Sequence, residues 1–65
     1  MIGTVATFDP DVGLGTIAPA AGGTALAFHC IAIADGSRHI EPGTAVEYDL
    51  IPKLGHYEAW VIRPA

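Results

Sequence analysis

Glycine or proline recurs along nearly the whole chain, eight of the one and five of the other in 65 residues. A helix of useful length needs apolar residues three and four apart for about three turns, and no window of this sequence sustains that pattern. The stretches between the breaks are short and several alternate with period two. The chain therefore reads as all-β.

Five strands follow from the pattern. The first, Ile2 to Phe8, is rich in β-branched residues and stops at Asp9-Pro10-Asp11, a turn sequence. The second, Leu14 to Ala18, opens between Gly13 and Gly15, as a bulged or sharply curved strand would, and Pro19 ends it. After the loop Ala20-Ala21-Gly22-Gly23 comes a third strand, Thr24 to His29. There Leu26 and Phe28 share one face and Ala25, Ala27 and His29 the other, so the large apolar pair is expected in the core.

Cys30 to His39 reads as a long crossover, anchored by Ile31-Ala32-Ile33 and turned at Asp35-Gly36-Ser37. Pro42-Gly43 leads into a fourth strand, Thr44 to Ile51, where Val46, Tyr48 and Leu50 alternate with Glu47 and Asp49. Past the loop Pro52-Lys53-Leu54-Gly55, a fifth strand from His56 to Arg63 sets Tyr57, Ala59 and Val61 against His56, Glu58 and Trp60. That alternation predicts an outward Trp60. Five short strands with a long connection after the third fit a five-stranded Greek-key barrel of the OB type, and closure would hide the sheet edges of a chain that is 51% hydrophobic.

Charge and cysteine content narrow the function. Seven acidic and three basic residues give a formal net charge of −4, which opposes generic attraction to phosphate or to an anionic membrane. The single cysteine, Cys30, has no intramolecular disulfide partner, and the amino terminus shows no basic start followed by an apolar run, so a cytoplasmic location is expected. Pro19, Gly22, Gly23 and His29 interrupt the apolar stretch Ala18 to Ala34, so no membrane span is expected. The length predicts one domain, residues 1–65.

Residues distributed over nearly the entire chain resemble a bacterial cold-shock domain: Gly3-Thr4-Val5, Phe8, Pro10, Gly13, Gly15, Ile17, Leu26, His29, Ala32-Ile33, Gly43, Val46, Gly55, Ala59 and Val61. Val12-Gly13-Leu14-Gly15-Thr16-Ile17 resembles the family's first ribonucleoprotein-type motif, and Leu26-Ala27-Phe28-His29-Cys30 its second. The resemblance implies an OB-fold that binds single-stranded RNA or DNA, with aromatic side chains as stacking platforms beside a basic groove. Departures from the pattern are systematic. Ala6-Thr7 replaces a Lys-Trp pair, Val12 a lysine, and Leu14, Thr16, Ala27, Cys30 and Ser37 replace aromatic rings, leaving His29 and the neighbouring Phe8 of the contact set.

Each base stacked on a ring contributes about 1 to 3 kcal/mol, so losing several removes a total comparable to the roughly 8 kcal/mol of a micromolar complex. Single-strand binding is thus expected to be weak and salt-dependent. Its candidate residues are Phe8, Leu14, Thr16, His29, Arg38, Lys53, His56 and Trp60. Arg38 with His39, and Lys53 with His56, supply a small cationic edge; Trp60 is either a relocated platform or a cap on the barrel end. The competing expectation is a protein-interaction or self-associating module, because Val12, Leu14 and Ala27 would leave an apolar patch.

Catalysis, metal binding and cofactors are not expected. His29 and Cys30 project to opposite faces if both lie in the strand, no histidine or cysteine spacing matches a metal site, and Asp9 and Asp11 read as turn residues. Gly13 and Gly15 precede neither a lysine nor a helix start, so they form no phosphate loop.

Overall fold

β-branched and aromatic residues placed between turn-forming glycines and prolines assemble five strands in the computed structural model, which describes all 65 residues. β1 spans Ile2–Asp9, β2 Leu14–Pro19, β3 Leu26–His29, β4 Ala45–Lys53 and β5 His56–Pro64, with a turn of 3-10 helix, Cys30–Ala32, directly after β3. The strands close into a barrel in the order β1-β2-β3-β5-β4. Every neighbouring pair is antiparallel except β3 with β5, which run parallel. No helix is long and apolar enough to cross a membrane.

Side chains from all five strands fill the interior. Val5, Ile17, Phe28, Val46, Tyr48, Ala59 and Ile62 are buried there, and Ala32 and Ile33 from the crossover close one end. The inward faces expected for β3 and β4 are those observed, with Phe28, Val46 and Tyr48 essentially inaccessible. β3 starts at Leu26 rather than Thr24. Its ladder with β2 ends at the pair Ile17 and Leu26, and Thr24 and Ala25 lie outside it.

The β1–β2 connection is held by side chain as well as backbone. Asp9 Oδ1 accepts from the backbone N–H of Asp11 (3.0 Å) and Val12 (3.4 Å), and Asp9 O accepts from Gly13 N–H (2.8 Å). Gly13 closes this turn at φ 77, a conformation that costs glycine little. Asp9 is thus a turn former. The irregularity expected beside Leu14 lies across the ladder instead: Val5 opposes Ile17 and Thr7 opposes Thr16, so Ala6 is the extra residue, in β1.

β5 departs furthest from simple alternation. Glu47 opposes Arg63 and Asp49 opposes Trp60, which leaves one surplus residue in β5 between those pairs. Val61 there has φ 50, a left-handed conformation that crowds a β-branched side chain. The surplus residue shifts the phase of the strand. Ile62 faces the core at 1% exposure, and Val61, expected inward, is 37% exposed. Tyr57, also expected inward, is 59% exposed: it pairs with Pro52 near the tip of the β4–β5 hairpin, past Glu58, where β5 meets β3. No core lies beneath it. Trp60 opposes the exposed Asp49 and so keeps the outward face expected of it, while part of its surface is covered by packing against the core.

Left-handed strain in a residue other than glycine costs about 1–3 kcal/mol, and a strand glycine costs roughly 0.5–1 kcal/mol in entropy. Val61→Gly is therefore expected to raise stability by about 1 kcal/mol, measured as an increased urea midpoint at unchanged slope; a lowered midpoint would show that the bulge is unstrained.

Candidate nucleic-acid interface

Strand register builds a row of side chains across four strands. Thr7 of β1 opposes Thr16 of β2, Thr16 opposes Ala27 of β3, and Ala27 opposes Glu58 of β5. Beside it Leu14 opposes His29. Residues opposite one another in a ladder project to the same face, and together they line a shallow groove of about 440 Å³ on the outside of the barrel, with Gly15 and the ring of Phe28 also lining it.

The close approach of Phe28 depends on Gly15. A Cβ built on Gly15 would lie 2.5 Å from Phe28 Cζ and 2.6 Å from Thr7 O, so a larger residue would have to displace both a core ring and the backbone of β1. Phe28 in turn stacks on Phe8, with centroids 6.0 Å apart and planes 10° from parallel, and the His39 ring meets Phe8 edge-on at 5.5 Å. Such geometries favour aromatic pairs beyond the area they bury.

The chemistry of the groove is neutral to acidic. Thr7 and Thr16 hydroxyls are hydrogen-bonded to each other at 2.8 Å. The Glu58 carboxylate, only 14% exposed, pairs with His56 Nε2 at 3.1 Å, and the other ring nitrogen of His56 bonds Leu54 O at 3.0 Å. No lysine or arginine lines the groove. Arg63 pairs with Glu47 at 3.5 Å, Lys53 stands at the tip of the β4–β5 hairpin opposite His56, and Arg38 occupies the crossover loop at φ 58.

Among the candidate residues, Leu14, Thr16 and His29 therefore come together in one groove. Phe8 adjoins it through Phe28, and His56 reaches it through Glu58. Arg38, Lys53 and Trp60 do not line it. The cationic edges expected from Arg38 with His39 and Lys53 with His56 are tempered, because His39 bonds Glu41 at 2.6 Å and His56 bonds Glu58. Thr7, Ala27 and Glu58 were not among the candidates. Alternation does place Glu58 outward, but only the parallel pairing of β3 with β5 carries it to the groove. Cys30 lies beyond the end of β3, half-buried against the core, and a Cβ on Gly13 would come within 2.9 Å of its sulfur. That is a packing role.

A closed five-stranded barrel of OB type with a concave face centred on its second and third strands defines a class of modules that bind oligomers on that face. A family model described as the 'Cold-shock' DNA-binding domain matches residues 1–65, and the chain belongs to that nucleic-acid-binding family. No curated protein matches it.

The crossover loop carries a carboxyl with a lowered pKa. Asp35 accepts the backbone N–H of Ser37 at 2.8 Å, and this bond, reinforced by the Ser37 side chain, holds its pKa below the ordinary 3.8. Hydrogen bonds to the charged form act in that direction. A depressed native pKa contributes stability that is present above the unfolded value and lost as pH falls through the folded one. A carboxyl-detected NMR titration is expected to place the Asp35 midpoint below 3.8, with Ser37 N–H shifting in step; a midpoint at or above it would show that the loop bond does not persist in solution.

Proposed function

We propose that this chain is a weak binder of single-stranded RNA or DNA, engaging it through the groove over β1, β2 and β3. The row Thr7, Thr16, Ala27 and Glu58 carries the reading. At these positions the surface offers hydroxyls, a methyl and a carboxylate. Bases can still lie over Leu14 and beside His29, so some apolar and stacking contact survives, but each ring absent from a platform forgoes about 1 to 3 kcal/mol. Phosphate attraction is also small, since Arg38, Lys53 and Arg63 are dispersed and the net charge is −4.

Trp60 does not line the groove, so amide shifts of the lining residues report binding more directly than its fluorescence. Titrating a pyrimidine-rich oligonucleotide at low salt is expected to shift the amides of Leu14, Thr16, Ala27 and His29 with a Kd weaker than about 10 μM. Submicromolar affinity would overturn the proposal of weakness, and shifts confined to other faces would overturn the assignment of the groove.

A second reading, self-association, is favoured by exposed apolar residues at one end of the barrel. Val12 is 63% exposed and Ile31 61%, and the turns that carry them are tied by the bond from Cys30 N–H to Gly13 O at 2.8 Å. Leu14 continues the patch. Sedimentation that becomes faster with concentration, and that Leu14→Asp abolishes, is the outcome expected of that reading; a concentration-independent monomer excludes it.

A further inference from the structure

We propose that the groove selects guanine over uracil or thymine, with the Glu58 carboxylate reading the base; this rests on the groove being the binding face. Glu58 enters the groove because the parallel register sets it directly opposite Ala27. On the far side of Ala27 stands Thr16, bonded to Thr7. Two strand spacings, about 9.5 Å, thus separate the hydroxyl pair from the carboxylate, and the residue between them is the smallest side chain a strand can carry there. A flat ring resting over Ala27 would have an acceptor at one edge and a hydroxyl at the other.

The hydrogen-bonding capacity of the two edges is complementary to one base. His56 Nε2 engages Glu58 Oε2 and so fixes the carboxylate, while Oε1 has no intramolecular partner. A carboxylate has about four lone-pair sites and donates nothing, so it favours an edge with adjacent donors. Guanine presents N1–H and N2–H side by side. Uracil and thymine present a single N3–H between two carbonyl oxygens, which the carboxylate repels. Cytosine and adenine offer one amino group next to a ring acceptor. At the opposite edge, one of the bonded threonine hydroxyls donates to the other, and the hydrogen of the second remains free for guanine N7, an acceptor the pyrimidines lack. Reading of unstacked bases on this edge is the usual route to sequence preference in single strands.

The experiment compares a uridine hexamer, the same hexamer with one internal guanine, and a third in which hypoxanthine replaces that guanine and so removes the N2 amino group. Each is titrated into the wild-type chain and into Glu58→Gln, followed by amide shifts. The guanine hexamer is expected to bind about tenfold more tightly than the uridine hexamer, with its largest shifts at Ala27 and Glu58 and with the hypoxanthine hexamer in between. Glu58→Gln is expected to bring the ratio within about twofold, chiefly by weakening binding of the guanine hexamer. Equal affinity of wild type for guanine and uridine hexamers, with shifts in the groove, overturns guanine selection and leaves weak binding standing. Absence of groove shifts with every hexamer overturns both. If Glu58→Gln fails to fold, the hypoxanthine comparison decides alone: affinity equal to guanine overturns the role of the carboxylate, and affinity falling toward uridine supports it.

Discussion

The arrangement depends on one contact, the ring of Phe28 laid against a strand that has no side chain at Gly15. Phe28 is a fully buried core residue of β3 that also borders the groove. Because Gly15 is bare, β2 and β3 can pair with the ring between core and groove, and Phe8 can stack on it from β1. Shape on the outer face is thus inherited from packing on the inner one.

Scaffold and surface follow different logic in this chain. Inward positions hold apolar residues at near-complete burial, whereas the outer face of the same strands carries threonine, alanine, histidine and a carboxylate. The barrel is held by its interior and its ladders, so what those ladders display outward is free of the packing constraints that fix the inner face. Under the function proposed above, recognition on this face rests on base edges and apolar contact rather than on the backbone of the nucleic acid, since no lysine or arginine lines the groove and the net charge is −4.

The sequence made the architecture legible where period two was undisturbed. Leu26 and Phe28 in β3, and Val46, Tyr48 and Leu50 in β4, could be assigned to the core from alternation alone. β5 resisted because one surplus residue near Val61 inverts the phase, and an insertion of that kind leaves no mark in composition. Tyr57 was misplaced because alternation says which way a side chain points but not whether anything lies beneath it, and the same limit hid how much of Trp60 packs against the core. Leu14, Thr16 and His29 emerged as a group through the family resemblance. Glu58 did not, since its arrival depends on two strands separated by the whole of β4 and the crossover coming together in parallel.

That parallel junction is also the slimmest join in the barrel. The antiparallel ladders run over several residues, whereas β3 meets β5 only at Ala27 and Glu58, followed by an isolated bridge at Ile33 and Ile62 with the bond from Ala34 N–H to Ile62 O. Parting there sacrifices the fewest backbone bonds, which makes this seam the least costly place for the ring to open. The groove straddles it. A strand of nucleic acid bridging Thr16 and Glu58 would clamp the two lips of the opening, coupling occupancy of the face to the rigidity of the whole ring.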